Sequence, residues 1–259
     1  MNEVQKLQLD ILIKLDEVCR NNNIRYYIAY GTCIGAVREK GFIEWDHDID
    51  VLMHIDDATK LENLQNELGE NYFLNSINTN PEYKKINMHI IDKKHKYKIF
   101  KSGKETEVAN IGIDIYPFYY CPTSKIKLLS NIWKSHYLKI LVGGAPNNHG
   151  FISKYIAKLL LLFSNKTNRK QKIEKLRNDL NYKGQSDEIA DYYGLDVKAC
   201  SVIKYKKEWF AKPSLLEFEG FTFYGPTNPH EYLTTRYGDY MTPLSKEERE
   251  EEEQYELLQ

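Results

Sequence analysis

Between Trp45 and Val51 the chain reads Trp-Asp-His-Asp-Ile-Asp-Val. On an extended strand, side chains alternate between faces, so Asp48 and Asp50 point the same way and Ile49 and Val51 point into a core. Two carboxylates side by side repel unless a positive charge lies between them. A divalent cation with oxygen ligands supplies that charge, and Mg²⁺ or Mn²⁺ suits carboxylates that share the metal with substrate phosphates. An Asp-x-Asp pair alone also occurs on solvated edges. Here the flanking Ile49 and Val51 anchor the strand and hold the acids at its rim.

A third acid, Asp114, lies between two isoleucines in Gly112-Ile-Asp-Ile-Tyr116. If that strand neighbours the first, Asp114 faces the same metal. Three carboxylates can hold two metals, which polarise both the attacking and the leaving oxygen in phosphoryl transfer. Asp114 could instead serve as general base on an acceptor hydroxyl, or be an exposed acid on an antiparallel strand. Gly31-Thr32 forms a strand-to-helix junction whose backbone N–H groups and hydroxyl can face a phosphate. Arg38 and Lys40, a turn later, carry charge that can neutralise donor phosphates.

These residues need elements to position them. Residues 3 to 22 read as an amphipathic helix, with Val4, Leu7, Ile11, Leu12, Leu15 and Val18 at three- and four-residue steps. Residues 26–30 read as a strand, 33–38 as a helical turn and 48–53 as a second strand. Asp56 or Asp57 caps a helix running to about Leu68. Residues 72–76, 84–91, 96–100 and 111–119 are further strands, the last ending at Pro117, which cannot donate to a central ladder. Residues 216–243 return to the core. The acid-rich stretch from Glu247 to Glu253 is expected to be a frayed or helical solvated tail.

Residues 124–183 differ in charge. They hold thirteen Lys and Arg against two acids, a balance of +11, within a chain whose net charge is −1. The pattern is helical, broken at Gly143-Gly144-Ala-Pro146, and is expected to be an insertion carried by the core. The plainer and preferred arrangement is a helical cap with its apolar face packed on the core and its lysines in water. The other is peripheral contact with an anionic membrane. No nucleic-acid motif accompanies the charge, so nucleic acid is not an expected partner.

The composition, 42% hydrophobic and 28% charged, is globular and excludes a disordered chain. Cys19, Cys33, Cys121 and Cys200 form no CxxC pair and read as small reduced hydrophobes. The start lacks a signal-peptide pattern, and the longest apolar run, residues 159–163, is too short to span a bilayer. The expected location is the cytoplasm or the cytoplasmic face of a membrane.

The order Gly31-Thr-Cys-Ile-Gly-Ala-Val-Arg38, Gly41-Phe-Ile-Glu-Trp-Asp-His-Asp-Ile-Asp50 and Gly112-Ile-Asp-Ile-Tyr-Pro117 resembles the LicD family of phosphotransferases. Phe218-Glu-Gly220, Pro229, Tyr232-Leu233 and Tyr237-Gly-Asp-Tyr-Met241 extend the likeness, which covers residues 24–54, 111–118 and 216–243. It implies an α/β (α+β) fold, a nucleotidyltransferase-like mixed sheet flanked by helices. The core would span 1–123 and 184–259, with the basic helical insertion at 124–183.

The resemblance also implies transfer of phosphocholine or an alditol phosphate. The donor would be CDP-linked, and the acceptor a sugar hydroxyl on a cell-surface glycan or its lipid-linked precursor. Asp48, Asp50 and Asp114 would hold Mg²⁺ or Mn²⁺ and be the catalytic acids. Gly31, Thr32, Arg38 and Lys40 would face the donor. Trp45 would pack over the donor or plug the core, and Glu219 would bond donor or acceptor or be a surface acid. Tyr237 and Tyr240 would stack on the base or close the core. The family pattern has three consecutive acids after the Trp, and here the middle one is His47, which is expected to be packed or exposed and not a ligand. Two other functions remain open: transfer of the nucleotide itself, and a non-catalytic glycan- or membrane-binding protein on the same fold.

Overall fold

The computed structural model describes residues 1–101, 104–145, 151–162, 166–193, 201–245 and 254–258. The chain runs α1 (Glu3–Asn21), β1 (Tyr26–Ile28), α2 (Tyr30–Arg38), β2 (Asp50–His54), α3 (Ile55–Glu62), β3 (Tyr72–Asn75), β4 (Met88–Lys101) and β5 (Lys104–Tyr120). Three helices follow: α4 (Lys125–Gly143), α5 (Phe151–Leu162) and α6 (Lys166–Leu180). Then come β6 (Glu188–Ala190), β7 (Lys204–Lys206), β8 (Ser214–Phe218), β9 (Phe221–Gly225), α7 (Pro229–Tyr237) and β10 (Gln254–Leu258). The result is the expected mixed α/β fold, a sheet flanked by helices.

Two compact units divide the chain. The first comprises residues 1–75, 89–117 and 208–259, and the second 76–88 and 118–207. In the first, the strand order is β1-β2-β5-β4, with β3 and β10 both pairing with β4. β2 is central, and all five of its residues are buried. Ile111, Ile113 and Ile115 of β5 and Val51, Leu52 and Met53 of β2 fill the core. Each such side chain contributes roughly 1.5–3 kcal/mol by leaving water.

Helix α1 starts at a capping box, in which Asn2 and Gln5 each bond the other's backbone N–H. Its buried stripe includes Val4, Ile11, Leu12, Leu15 and Val18 as the spacing predicts, but also Gln5 and Gln8, while Leu7 is only half-buried. β8 and β9 form a hairpin whose turn residues, Glu219 and Gly220, have φ of 50° and 78°. That suits the twist of a two-residue hairpin, at a backbone cost for the glutamate.

The second unit carries α4, α5 and α6, and α4 packs against α6. Asn131 Nδ2 donates to Leu180 O at 3.2 Å and to the Tyr192 hydroxyl at 3.1 Å, joining α4, α6 and the segment after β6. The helices expected at 124–183 lie here, together with strands β6 and β7, which the sequence reading did not mark. Pro146, within the expected helix break, lies outside the described residues, although α4 does end at Gly143.

Several elements differ from expectation for physical reasons. β2 begins at Asp50, so Asp48 precedes the strand and the alternation argument does not apply to it. Helix α3 stops at Glu62, followed by a short 3-10 turn at Gln65–Leu68; its N-cap is His54, whose Nδ1 accepts from Asp56 N–H at 3.3 Å. β4 is one 14-residue strand in place of two, because β3 pairs with residues 89–92 and β10 with residues 96–100. β5 continues past Pro117 to Tyr120, and its last two residues pair with β6. Pro117 lacks an N–H and falls where β5 changes units. The Glu247–Glu253 tail and Cys200 lie outside the described residues; Cys19, Cys33 and Cys121 are buried free thiols. Among the described residues, no helix is long and apolar enough to cross a membrane.

Candidate active site

The first unit places the predicted acids at the top of its central strand. Asp50 opens β2. Its N–H donates to Thr32 Oγ1 at 2.9 Å, and its carbonyl accepts from Ala29 N–H at 2.9 Å. Asp114 N–H donates to Ile49 O at 2.9 Å, so β5 brings the third acid alongside the Asp48–Asp50 segment. The neighbouring strands that the sequence reading required are therefore present. Asp50 is 8% exposed, Asp46 and Asp114 are half-buried, and Asp48 is exposed.

Electrostatics ties the four acids together. Burial, first, and then the charges of Asp48, Asp114 and Asp46 hold the Asp50 carboxyl well above the usual carboxylate range, while Arg236 opposes them. Asp50 Oδ1 is buried with no hydrogen-bond partner among the described residues. A buried, unpartnered carboxylate oxygen amid three like charges is costly as it stands and would be relieved by a cation. Among the described residues, no three carboxylate, imidazole or thiolate side chains converge as a ready-made metal cage. That does not conflict with Mg²⁺, which usually takes one or two carboxylates and completes its shell with water and phosphate oxygens. Asp50 is the buried acid here, with Asp48 and Asp114 acting on it through their charges.

The junction of β1 and α2 shapes the adjoining wall. Tyr30 has φ 48°, a conformation rare outside glycine. Three contacts hold it there: its N–H donates to the Tyr232 hydroxyl at 3.2 Å, its ring meets Tyr116 edge-on at 5.2 Å, and the Arg236 guanidinium lies 4.2 Å from its centroid. Helix α2 begins without a side-chain cap, so its first turn presents backbone N–H groups that attract anions. Asp46 comes close to this turn: a Cβ on Gly31 would collide with its Oδ2. A side chain at 31 would push the Asp46 carboxylate aside.

The other predicted donor-facing residues are placed as follows. Thr32 is buried and tethers Asp50. Arg38 bonds Glu39 Oε1 at 2.7 Å and Tyr240 O at 2.9 Å. Lys40 is exposed with φ 61°, and its carbonyl accepts from Glu219 N–H at 2.8 Å. Glu219 Oε1 in turn accepts from Phe42 N–H at 2.9 Å. The described bonds of Arg38, Lys40 and Glu219 thus clasp the 38–42 loop to the β8–β9 turn and Tyr240. Trp45 is half-buried. His47 is packed, with its ring 5.2 Å from Tyr255 and its Nδ1 3.2 Å from Asn2 Nδ2; burial, opposed by Asp48, lowers its pKa.

Sequence reasoning missed Arg236, Gln5 and Gln8. Arg236 sits in the last turn of α7, 5.6 Å from the Tyr237 ring, and acts on Asp50. Its position one residue before the Tyr237-Gly238 motif was the available signal. Gln5 Nε2 donates to Asp46 O at 2.8 Å. Gln8 Nε2 donates to His47 O at 2.7 Å and to Gly112 O at 3.2 Å, joining the acidic segment to the strand that bears Asp114. Replacing Gln8 by Leu leaves two carbonyls without that donor. The expected result is a loss of roughly 2–3 kcal/mol of stability in urea unfolding, with Gln8→Glu no better. A loss below about 0.5 kcal/mol would remove Gln8 from this role.

The family description LicD/FKTN/FKRP, nucleotidyltransferase domain, matches residues 23–140. The chain is 30% identical over 256 residues to the lipopolysaccharide cholinephosphotransferase LicD of Haemophilus influenzae, covering 93% of this chain and 91% of that protein. Shorter similarities reach two uncharacterized Rickettsia proteins, 42% identical over 59 residues in R. typhi and 48% over 42 residues in R. prowazekii.

Proposed function

Because the chain belongs to the LicD family of transferases, we propose that it moves a phospho-alcohol group, phosphocholine or an alditol phosphate, from a CDP-linked donor to a sugar hydroxyl. The acceptor is a cell-surface glycan or its lipid-linked precursor, and the reaction is cytoplasmic, with its nucleotide donor. The name of the Haemophilus relative favours phosphocholine as the group and lipopolysaccharide as the glycan. The observation that carries a phosphotransfer site is Asp50: buried, unpartnered at Oδ1, and surrounded by three other aspartates.

Asp50, Asp48 and Asp114 would hold Mg²⁺ or Mn²⁺. A metal bound there would supply positive charge to the donor diphosphate and the departing CMP. Gly31 and Thr32, in the first turn of α2, face the phosphates with their backbone N–H groups. Arg236, which lies over the Tyr30 ring and is half-buried, adds a cation that water does not screen fully. Asp114 keeps solvent contact, and its second oxygen takes the proton of the acceptor hydroxyl. The sugar oxygen then attacks in line the phosphorus that bears the alcohol. A new P–O bond forms, the P–O–P bond breaks, and CMP leaves. Positioning and charge stabilisation account for the catalysis, with no covalent enzyme intermediate.

The family description also names a nucleotidyltransferase domain, and transfer of the nucleotide itself is the second reading. Product mass separates the two, because only the second adds a nucleotide to the acceptor. The first test is calorimetry with CDP-choline, CDP-ribitol and CDP-glycerol, each with Mg²⁺ and with chelator. The expected result is tight binding of CDP-choline that weakens at least about tenfold in chelator. Equal affinity in both conditions would remove the metal from the site. Failure of all three to bind would point to another donor or to the non-catalytic reading.

A further inference from the structure

Two helices of the second unit turn apolar side chains outward. Helix α4 buries Ile132, Leu138 and Leu141 on one face. On the opposite face Ile126 is 83% exposed and Trp133 58%, with Leu129 exposed between them. The spacing i, i+3, i+7 makes these three a stripe along one side of the helix. Helix α5 repeats the pattern at i, i+4, i+7: Tyr155 is 67% exposed and Leu162 79%, with Leu159 exposed between them. The same stretch of α5 lines an open recess of about 450 Å³ formed by Tyr155, Lys158, Leu159, Leu161 and Leu162.

Isolated exposed apolar residues are ordinary, but two helical stripes of them mark a surface that something covers. The favoured cap arrangement accounts for the buried face of α4 and not for its outer face, nor for that of α5. Charge indicates what covers them. Thirteen of the chain's 36 Lys and Arg lie within residues 124–183, against two of its 37 acids. Lys125 and Lys158 are exposed on the helices that bear the stripes, while Lys127 lies over the Tyr182 ring. Protruding aliphatics, a Trp and a Tyr framed by lysines combine insertion into acyl chains with attraction to anionic headgroups. A nucleic acid would use the charge and leave the apolar stripes uncovered, whereas a lipid surface uses both.

We propose that the outer faces of α4 and α5 dock this protein on an anionic lipid surface, with Trp133 and Leu159 entering the headgroup boundary. The docking does not depend on the catalytic reading. The full chain is floated with phosphatidylcholine vesicles and with vesicles that also contain phosphatidylglycerol, at low and high salt. Partitioning at least about tenfold stronger on the anionic vesicles is expected, falling with salt. Leu159→Glu with Leu162→Glu, and separately Trp133→Glu, reduce it about tenfold or more. These positions are exposed, so circular dichroism and melting should match the parent chain. In a second readout, brominated lipids quench the fluorescence of the bound protein, and Trp133→Phe removes that quenching while binding persists. Absence of partitioning, or partitioning that the glutamate variants leave unchanged, overturns the proposal. So does a concentration-dependent dimer that the same variants dissolve without any vesicle binding, because a second copy would then cover the stripes.

Discussion

Asp50→Asn is expected to abolish turnover and, in chelator, to raise the melting temperature. Both effects come from one cause. The carboxyl sits at the buried start of β2, and burial together with Asp48, Asp114 and Asp46 holds its pKa well above the usual carboxylate range. A carboxyl whose folded pKa is raised binds its proton more tightly in the folded state than in the unfolded one. Its effect on stability is therefore most favourable at low pH. It is lost as pH rises from the ordinary carboxylate value through the folded pKa, so the cost grows from acid toward neutral pH. Asparagine has nearly the same shape and no charge to desolvate. The expected gain in chelator at neutral pH is roughly 1–3 kcal/mol, or about 2–4 °C for each kcal/mol in a chain of this size. With Mg²⁺ the order reverses, because the parent chain gains a cation between its carboxylates and the variant gains little. Activity falls by about 10³-fold or more. Thermal melts of both proteins in Mg²⁺ and in chelator, from acid to neutral pH, read all of this at once. A variant less stable than the parent in chelator, or one equally active, would sink the mechanism.

The aspartates themselves were legible because acid type, spacing and flanking apolar residues are local properties. Asp50 and Asp114 needed only the assumption that two strands neighbour each other, and the Asp114–Ile49 bond supplies it. Asp48 was located correctly among the acids by a wrong argument: the strand begins two residues later, and Asp48 is exposed. The buried glutamines of α1 were illegible because a helical stripe is read by hydrophobicity. Gln8 is buried for its two carbonyl partners, one of them more than a hundred residues away. The single long β4 was illegible for a related reason. Its length is set by β3 and β10 sharing one edge, and β10 lies beyond an acidic stretch that reads as solvated tail. Glu219 looked like a donor contact or a surface acid, and it is bonded to Phe42 N–H because the hairpin turn aims it there. In each case the missing information was tertiary, carried by a partner remote in sequence.

Arg236 carries the second large expected effect. Its guanidinium lies over the Tyr30 ring and near that of Tyr237, and it is the cation that draws the Asp50 pKa back toward normal. In the last turn of α7 it also lies at the negative end of the helix dipole, which favours a cation there. Arg236→Ala should lower kcat/KM by about 10²–10³-fold, the range seen when one donor of charge stabilisation is removed. Arg236→Lys should recover only part of that loss, because an ammonium does not reproduce the planar stacking on Tyr30. The structural consequence has a definite sign. Without Arg236 the Asp50 carboxyl rises further, so the Ala variant loses stability relative to the parent as pH increases toward neutrality, and the difference narrows in acid, where Asp50 is protonated. In an Asp50→Asn background that pH dependence should vanish, leaving only the cost of the lost packing on the two tyrosines. A double-mutant cycle of Asp50→Asn and Arg236→Ala, followed by chemical unfolding at acid and neutral pH in chelator, isolates the coupling. A coupling that is the same at both pH values would show that Arg236 holds Tyr30 in place and does not act on the carboxylate.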